Sequence, residues 1–503
     1  MNLMMLLEMA ASQAGDRVAV THGEDRLTYA ELFQAAGAAG ARARAAGVRS
    51  FAMLDESSLA FPIALFGAAW SGLPFVPLNY RLTDQELPAL LARVEPALVL
   101  SAPEREGALP QRPGVQALPR QDFLRHARSA GAERLAPEWG MDPEEVALLL
   151  FTSGTTGAPK AAVLRHGHLV SYILGTVEFL GAAEDAAQLV CVPPYHIAGV
   201  ASLASSIYSG RRIVLLPSFT AEAWLAAARR EKVTHAMVVP TMLARIVDAL
   251  AGQSSAGLPH LRALSYGGGR MPQPVIERAM ELLPGTDFTN AYGLTETSST
   301  IAILGPEDHR EAAASDDPAV RRRITSVGRP IPSVRVEIRD AEGRVLPPGE
   351  RGEVHVAGEQ VSGEYLGAGS RLLGDGFFPT RDAGHLDADG YLFLEGRIDD
   401  VIVRGAENLS PGEIEDVLRE HEAVADAAVV GVPDLQWGEA VAAAIVLKPG
   451  CDARAAEIQQ WVKERLRSSR TPEHVAFVDA LPYNETGKLL RRKVRERFAE
   501  RAG

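Results

Sequence analysis

The sequence of 503 residues has only two cysteines and fewer positive than negative side chains, 51 Lys and Arg against 64 Asp and Glu. Its two cysteines, Cys191 and Cys451, lie far apart and provide neither a disulfide framework nor a set of metal ligands. The formal net charge of −13 argues against the basic surface of a nucleic-acid-binding protein. We therefore expect no nucleic-acid partner, and the reducing cytoplasm is the simplest location for the protein.

The sequence also lacks the patterns of a targeting signal and of a membrane span. Residues 1–11 are apolar but carry Glu8 and no basic leader, which predicts an amphipathic first helix and not a signal peptide. The uncharged stretch 57–80 is long enough to raise the question of a membrane span. Because prolines and glycines interrupt it, we expect a buried helix and strand, and no integral membrane segment.

The chain is too long for a single hydrophobic core, since such cores rarely exceed about 250–300 residues. Strands alternate with helical stretches over 16–144 and again after Lys160, which predicts layered α/β structure with a mostly parallel sheet. Over 324–396, short strands of alternating apolar and charged residues predict a small antiparallel sheet or barrel. Residues 399–503 combine two amphipathic helices with several strands, which predicts a small α+β domain.

Two helix starts carry the pattern of a capping box. Thr28 is followed three residues later by Glu31, and Ser410 by Glu413. Pro411 follows Ser410 directly and suits the first position of a helix. Both patterns predict a reciprocal hydrogen bond between the hydroxyl residue and the glutamate.

A loop rich in hydroxyls and glycines follows an apolar run that ends at Thr152. Gly154 and Gly157 permit backbone conformations that direct several N–H groups toward one point, and Lys160 adds positive charge. Short side-chain donors come from Ser153, Thr155 and Thr156. Such a loop suits a polyphosphate, although an ordinary turn is the alternative for the loop alone. The position of Lys160 does not satisfy the P-loop spacing.

A second segment, residues 292–296, offers complementary chemistry. The ring of Tyr292 can stack on a purine, which contributes about 1–3 kcal/mol for a base. Thr295 can donate to a phosphate oxygen, and Glu296 is a hard oxygen ligand for Mg²⁺ shared with phosphates. A core tyrosine beside a solvated glutamate is the alternative for this segment alone.

These two segments resemble the signatures of the adenylate-forming superfamily, which includes acyl-CoA synthetases, firefly-type luciferases and peptide-synthetase adenylation domains. Residues 152–160 match TSGTTGxPK at every fixed position, and residues 292–296 match YGxTE. The acyl-CoA synthetases are the most similar branch. The resemblance implies an N-terminal adenylation domain over 1–398, a mobile C-terminal domain over 399–503, and the use of ATP, Mg²⁺ and coenzyme A.

The resemblance also implies the residues of the nucleotide site. Thr155 and Glu296 would hold Mg²⁺, and Asp382 would accept hydrogen bonds from the ribose hydroxyls. The full set of implied nucleotide-binding residues is Thr152, Ser153, Gly154, Thr155, Thr156, Gly157, Lys160, Gly267, Gly268, Gly269, Asn290, Tyr292, Asp382 and Arg397.

Two arginines stand where the sequence departs from the usual motifs of the superfamily. Arg270 follows Gly269 where the family often has alanine, and Arg381 precedes Asp382 where glycine is usual. Arg270 could reach an acidic substrate or a cofactor phosphate, or it could be a solvated arginine at a helix start. The backbone at Arg381 is expected to be less free than at a glycine.

Lys488 lies in a segment that resembles the terminal P-x4-G-K motif of the superfamily. Forming an acyl-adenylate brings a carboxylate to the α-phosphorus of ATP, and an ammonium between these anions removes their repulsion. Lys488 and Glu296 lie in different predicted domains, so the reaction requires closure about a joint, for which the resemblance indicates Asp399. A surface lysine near a basic tail is the alternative.

The resemblance assigns three further residues. Gly405 would lie beside the pantetheine tunnel, Trp437 belongs to a Trp-Gly pair common in CoA-using members, and His196 would flank the acyl pocket. A core histidine is the alternative for His196. Lys488, Thr295, Glu296 and His196 are thus the predicted catalytic residues.

The predicted function is ATP-dependent carboxylate–CoA ligation through acyl-AMP, with a small carboxylic acid, ATP and CoA as partners. An amine or a carrier-protein thiol could replace CoA, and a nucleotide-binding module without catalysis is the alternative from another class. A monomer or a homodimer is expected. A medium-chain, alicyclic or aromatic acid is favoured, unless Arg270 points inward, because the candidate pocket residues are mostly apolar or small: Tyr195, His196, Val238, Met242, Tyr266, Gly267, Ala291, Leu294 and Ser298.

Overall fold

A computed structural model describes the chain over residues 1–129, 139–152, 160–405, 407–484 and 487–502. Up to residue 230 its elements are α1 Met4–Ala14, β1 Val18–His22, β2 Asp25–Thr28, α2 Tyr29–Ala45, β3 Ser50–Leu54, α3 Ala60–Ser71, β4 Phe75–Pro77, α4 Leu87–Leu91, β5 Ala97–Ser101, β6 Val115–Pro119, α5 Arg120–Ser129, β7 Val146–Thr152, β8 Lys160–Arg165, α6 His166–Thr176, β9 Ala187–Val190, α7 Ile197–Ser209, β10 Arg212–Leu215 and α8 Ala221–Arg230.

The remaining elements are β11 His235–Val238, α9 Pro240–Ala249, β12 Ala263–Gly267, α10 Gln273–Leu282, β13 Asp287–Leu294, β14 Ser299–Leu304, α11 Pro306–Ala314, α12 Pro318–Arg322, β15 Arg329–Pro330, β16 Arg335–Arg339, β17 Gly352–Ala357, β18 Glu364–Tyr365, β19 Gly369–Ser370, β20 Phe378–Leu386, β21 Leu392–Arg397, β22 Ile402–Arg404, β23 Glu407–Leu409, α13 Pro411–Arg419, β24 Val424–Asp434, β25 Gly438–Leu447, α14 Ala455–Arg465, β26 His474–Phe477 and α15 Arg491–Ala502. Short 3₁₀ turns cover Pro103–Ala108, Thr295–Thr297, Arg323–Thr325, Ile398–Asp400 and Ser468–Arg470.

Two large, mostly parallel sheets confirm the predicted α/β class. In the described part of the chain the first sheet has nine strands, in the order β15-β14-β13-β12-β11-β9-β10-β1-β2, and is parallel from β13 to β1. The second has eight strands there, in the order β19-β18-β8-β7-β4-β3-β5-β6, and is parallel from β7 to β6. We call α1 to β21 the main unit.

Helices packed between these two sheets form the largest hydrophobic core. Phe51 of β3 and Ile213 of β10 belong to the same buried cluster as the apolar faces of α1, α2, α3 and α7. Gly40 of α2 permits a close approach to α3, because a Cβ atom there would collide with the indole of Trp70. The uncharged stretch 57–80 forms the buried helix α3 and the strand β4, as predicted. None of the helices in the described ranges is long and apolar enough to cross a membrane.

The β-rich segment forms an antiparallel sheet in the order β16-β17-β20-β21, and it does not close into a barrel. One face of this sheet, which carries Ile338, Val354 and Phe378, packs against Ile301 of β14. Because that apolar face is already buried against the first sheet, the strands have no need to close on themselves.

Residues from β22 to α15 build a separate core, which we call the carboxyl-terminal unit. Its sheet has the order β23-β22-β25-β24, with β26 added beside β25. Ile414 of α13 and Ile458 of α14 cover one face of this sheet, and Val494 of α15 belongs to the apolar cluster on the other face. This arrangement confirms the predicted small α+β fold.

The two predicted capping boxes have different outcomes. At the start of α2 the backbone N–H of Glu31 donates to Thr28 at 3.1 Å, and the N–H of Thr28 donates to the carboxylate of Glu31 at 2.8 Å. At α13 the prediction is wrong: Pro411 begins the helix, but the Ser410 hydroxyl donates to the carbonyl of Glu395 at 2.7 Å. Ser410 thus connects the carboxyl-terminal unit to β21 of the main unit.

A buried ion pair holds α15 against the rest of the carboxyl-terminal unit. Glu415 of α13 is 3% exposed, and its carboxylate accepts hydrogen bonds from Arg491 of α15 and from the N–H of Val429. Burial raises the pKa of Glu415, but the charges and hydrogen bonds around it, chiefly those of Arg491 together with the charge of Arg419 and the N–H of Val429, leave this pKa lowered. Since α15 follows the Lys488 segment directly, this pair also fixes the position of Lys488.

We predict that Glu415→Ala will lower the free energy of unfolding by about 3–5 kcal/mol, because it leaves the buried Arg491 with only the more distant carboxylate of Asp400, at 3.6 Å, as a counter-charge. Denaturant unfolding, followed by fluorescence, measures this difference. Glu464→Ala removes an exposed glutamate of α14 and serves as the control, with an expected change within about 0.5 kcal/mol. Equal effects of the two variants would contradict the assignment of Glu415 and Arg491 as a stabilising buried ion pair.

Candidate active site

Several predicted site segments meet at one edge of the first sheet. The strands β9, β11, β12 and β13 are parallel, so their carboxyl ends open on the same side. The segments that follow these ends contain His196, Thr241, Gly267–Gly269 and the 3₁₀ turn Thr295–Thr297. Neighbouring strands therefore bring together residues that are a hundred positions apart in the chain.

Asp382 is the centre of a charged network in the main unit. Its Oδ2 accepts a hydrogen bond from the Tyr292 hydroxyl at 2.6 Å, and its Oδ1 accepts one from Nη1 of Arg397 at 2.9 Å. Burial and the charge of Asp382 raise the pKa of Tyr292, so this phenol stays protonated. Nε of Arg397 is buried and has no hydrogen-bond partner among the described residues. Each carboxylate oxygen of Asp382 keeps a second lone pair, with which it could accept hydrogen bonds from a ligand.

Glu296 lies beside Tyr365, a residue that the sequence analysis missed. The Tyr365 hydroxyl donates to Oε1 of Glu296 at 2.6 Å, and the Lys160 ammonium lies 5.8 Å from the centre of the Tyr365 ring. Tyr365 reaches this position because the two-residue strand β18 pairs with β8, opposite Ala162. A two-residue strand has no periodicity that sequence analysis could detect.

The phosphate-loop residues Ser153, Gly154, Thr155, Thr156 and Gly157 lie outside the described part of the chain. The two ends of this loop are described and lie together: Thr152 pairs with Lys160 across β7 and β8, and its hydroxyl donates to the Lys160 carbonyl at 3.3 Å. Lys160 and Glu296 therefore both lie close to Tyr365.

The residues present fit Mg²⁺ bound together with a nucleotide. No group of three or more potential metal ligands occurs among the described residues, so the chain does not form a complete cage there. Glu296 supplies one carboxylate, of which only Oε1 accepts a hydrogen bond from a described residue. A single carboxylate suits Mg²⁺, which takes most of its other ligands from water and substrate phosphates.

The glycines after β12 make room for the neighbouring backbone. A Cβ atom on Gly267 would collide with the carbonyl oxygen of Ala291 in β13, and Gly268 has a φ of +81°. Asn290 is 8% exposed, and its amide donates to the carbonyl of Ser326 at 3.1 Å. Asn290 thus joins two segments of the main unit through its side chain, a contact that the sequence analysis did not foresee.

His196 has a buried nitrogen without a hydrogen-bond partner. It directly precedes α7, and its ring lies 4.8 Å from the ring of Tyr195. Nε2 is buried and unpaired in the described part of the protein, and burial lowers the pKa of His196 to about 4. The imidazole is therefore neutral near pH 7 and can offer an uncharged hydrogen bond.

Lys488 reaches the main unit from the carboxyl-terminal unit. Its backbone N–H donates to the side chain of Asn484 at 2.7 Å, which closes a tight turn. Gly487, with a φ of +71°, packs on the start of α9, where a Cβ atom on it would collide with the hydroxyl of Thr241. The turn therefore lies against the carboxyl end of β11, at the site edge of the first sheet.

The charges around Lys488 come mostly from the main unit. Lys488 keeps part of its surface exposed, yet burial, and then the charge of Arg397, lower the pKa of its ammonium. Asp382, Asp400 and Glu296 oppose this shift. Lys488 thus lies within the electrostatic reach of the network that Asp382 organises.

Gly405 and Trp437 contact each other in the carboxyl-terminal unit. The N–H of Gly405 donates to the carbonyl of Trp437 at 2.6 Å, and the guanidinium of Arg404 lies 4.7 Å from the centre of the indole. No hydrogen bond or ring contact among the described residues connects this pair to Asp382 or to Lys488. The structure therefore places the predicted CoA residues together but outside the charged network.

The chain matches two family models, described as AMP-binding enzyme over residues 7–366 and as AMP-binding enzyme C-terminal domain over residues 413–488. The protein thus belongs to the AMP-binding enzyme family, which confirms the resemblance to the adenylate-forming superfamily. It is 34% identical to a feruloyl-CoA synthase of Amycolatopsis, over 95% of this chain and 96% of that protein.

Two solved structures extend the similarity. O-succinylbenzoate coenzyme A synthetase from Bacillus subtilis, in complex with ATP and magnesium ion, is 30% identical with a TM-score of 0.83 and covers 97% of this chain and 98% of its own. An amide bond synthetase from Marinactinospora thermotolerans is 28% identical with a TM-score of 0.85, and the match covers 99% of this chain and 100% of that chain. The names of the curated relatives confirm the predicted enzyme class, an AMP-forming acid–thiol ligase.

The lowered pKa of Lys488 predicts an alkaline limit to adenylate formation. Because the ammonium is the useful form, kcat/KM for ATP–pyrophosphate exchange should fall as the pH rises through a pKa below the usual 10.5 of lysine. An arginine stays protonated to a higher pH than a lysine does. The Lys488→Arg variant should therefore be less active than the wild type, but its activity should not fall over this alkaline range.

As a control for irreversible unfolding, the activity of the enzyme is measured again at pH 8 after each alkaline incubation. A fall in kcat/KM only at or above pH 10.5 in the wild type, or the same fall in Lys488→Arg, would contradict the assignment of the alkaline limit to Lys488.

Proposed function

We propose that this protein is an ATP-dependent carboxylate–CoA ligase. A carboxylate would attack the α-phosphorus of ATP to form acyl-AMP and release pyrophosphate. The thiol of CoA would then attack the acyl carbon, so that a C–S bond forms and the C–O bond to AMP breaks. The observation that supports this proposal is the position of the turn that carries Lys488, whose Gly487 packs on Thr241 at the site edge of the main unit. There the charges of Arg397, Asp382 and Glu296 act on the ammonium of Lys488.

In this proposal the main unit binds the nucleotide. Asp382 accepts hydrogen bonds from the ribose hydroxyls, because each of its oxygens has a lone pair left after bonding Tyr292 and Arg397. Glu296 would hold Mg²⁺ together with Thr155, and Thr295 would donate to a phosphate oxygen. Bound Mg²⁺ supplies charge neutralisation at the phosphates.

Lys488 lowers the barrier to adenylation by charge. The attacking carboxylate and the α-phosphate are both anionic, and an ammonium between them reduces their repulsion most as the new bond forms. Removal of one such preorganised donor costs about 2.7–4 kcal/mol in enzymes of other kinds. The turn closed by Asn484 and packed on Thr241 holds the lysine in place before the reaction.

The second half-reaction requires a different arrangement of the two units. Gly405 and Trp437 would line the path of the CoA thiol, yet they lie outside the network around Asp382. We therefore propose that residues 399–503 move as a domain between the two half-reactions, with residues 1–398 as the fixed part. Asp399 lies in the 3₁₀ turn that joins β21 to the carboxyl-terminal unit.

The charges at the site favour a monocarboxylic acid with an apolar body. Arg270 does not point toward the acid, because its guanidinium pairs with Asp416 of α13. His196 is neutral, as its pKa of about 4 implies.

Two predicted pocket residues are engaged elsewhere: the Tyr266 hydroxyl bonds His309 at 2.8 Å, and the Ser298 hydroxyl donates to the Gln360 carbonyl at 2.9 Å. The remaining candidate lining is uncharged, which disfavours diacids.

An amine acceptor in place of CoA is the second candidate. The similarity to an amide bond synthetase at 28% identity over nearly the whole chain supports it. The two candidates share acyl-AMP formation and differ only in the nucleophile of the second step.

A panel of acids with ATP and Mg²⁺ tests the proposal. We expect pyrophosphate release with medium-chain, alicyclic or aromatic monocarboxylic acids, and at least about tenfold lower kcat/KM with matched diacids, whose second carboxylate has no cationic partner among the candidate pocket residues, all of which the structure describes. Mass spectrometry should detect acyl-AMP, and acyl-CoA once CoA is added.

Lys488→Ala should lower pyrophosphate release by about 100- to 1000-fold, whereas Lys493→Ala, an exposed lysine of α15, should leave it unchanged. Release without any response to the Lys488 substitution would refute its role. Turnover with amines and indifference to CoA would establish the second candidate instead, and no release with any acid would refute adenylation itself.

A further inference from the structure

Two ion pairs connect the main unit to the carboxyl-terminal unit and to the turn that joins them. Nη2 of Arg270 donates to Oδ2 of Asp416 in α13. Nη2 of Arg381, in β20, donates to Oδ1 of Asp399 at 2.5 Å. In both cases the arginine lies on the main unit, next to a segment of the candidate site.

The Arg270 guanidinium lies against the first turn of α13. A Cβ atom on Gly412 would collide with Nη1 of Arg270, so the absence of a side chain at this position makes room for the contact. Ser410, one residue before α13, is bonded to the Glu395 carbonyl at 2.7 Å. The start of α13 is therefore held to the main unit at two points.

Arg381 adopts a backbone conformation that a glycine would adopt without strain. Its φ is +63°, in the left-handed region that side chains disfavour. Its N–H donates to the carboxylate of Glu353 at 3.0 Å, and Asp382 follows it directly. The backbone alone thus gives no reason for an arginine here, whereas the contact of its guanidinium with Asp399 does.

The two aspartates of the joining turn are bound to opposite units. Asp399 pairs with Arg381 of the main unit, whereas Asp400 pairs with Arg491 at 3.6 Å and with Arg495 at 3.7 Å, both in α15. The turn is therefore fixed on both sides in the arrangement that brings Lys488 to the network around Asp382.

We propose that Arg270 and Arg381 are positioning residues that clamp the carboxyl-terminal unit with Lys488 at the nucleotide site, and so favour acyl-adenylate formation. This inference rests on the proposed function. Among the described residues, neither guanidinium has a hydrogen bond or ion pair with Asp382, Arg397 or Glu296, so both act on the reaction through the position of Lys488.

The strength of such a clamp is modest, because both pairs are partly exposed. Side-chain exposure is 42% for Arg270 and for Asp416, and 50% and 41% for Arg381 and Asp399. Ion pairs of this kind shift an equilibrium by a factor of up to about five each. Because the pairs are separate contacts, their effects should approximately multiply.

The test compares Arg270→Ala, Arg381→Gly and the double variant with the wild type. ATP–pyrophosphate exchange should fall about two- to fivefold in each single variant and about four- to 25-fold in the double variant. Thiolysis of supplied acyl-AMP by CoA does not involve the encounter of two anions at Lys488, so it should be unchanged or faster. Arg381→Gly keeps the left-handed backbone and should not lower the melting temperature, which separates a positioning role from a structural one.

Two further variants control the assignment. The charge reversal Arg270→Asp with Asp416→Arg should restore exchange above the level of either single reversal. Arg262→Ala removes an exposed pair with Asp185 within the main unit, 2.6 Å in length, and should leave exchange unchanged. Unchanged exchange in the double variant, or an equal fall in exchange and thiolysis, would overturn the proposal.

A distance measurement tests the clamp without enzyme activity, and so separates its failure from that of the proposed function. Cys451 is exposed on the carboxyl-terminal unit, Cys191 is buried, and Glu222→Cys would provide an exposed second site on α8. Pulsed electron paramagnetic resonance between spin labels at these two positions should show one main distance, and a second population should grow in the Arg270→Ala, Arg381→Gly background. Identical distance distributions would refute the clamp even if no acid substrate were found.

Discussion

The candidate active site depends on one interaction, between the ammonium of Lys488 and a charged network that belongs to another part of the chain. Lys488 comes from the carboxyl-terminal unit, whereas Asp382, Arg397 and Glu296 come from the main unit, and their charges act on the lysine together. Neither unit holds all of these groups alone. Anything that changes the relative position of the two units therefore changes the chemistry available at the site.

Within each unit, the packing holds that unit's site residues in fixed positions. The parallel strands β9, β11, β12 and β13 open their carboxyl ends at one edge and give the main unit its half of the site. In the other unit the buried pair of Glu415 and Arg491 fixes α15, and with it the turn that carries Lys488. The contacts between the units are more exposed and weaker, which suits parts that hold one arrangement and can still separate.

Sequence analysis found the chemistry better than the contacts. The layered α/β fold and the capping box at Thr28 follow from local patterns, and the structure confirms both. The partners of single side chains do not follow from such patterns: Ser410 bonds Glu395 instead of Glu413, and Arg270 finds Asp416. Tyr365 had no detectable signal, since a two-residue strand gains its position only from long-range pairing. The roles of the site residues stay predictions that geometry supports.

A crystal structure with a stable acyl-adenylate analogue, in which a sulfamoyl group replaces the phosphate, tests the central claim most directly. We expect the ribose hydroxyls to donate to Asp382, and the ammonium of Lys488 to lie about 2.7–3.2 Å from an oxygen at the acyl–sulfamoyl junction. An analogue bound away from Asp382, or a Lys488 directed into solvent with the two units still in contact as described, would contradict the account.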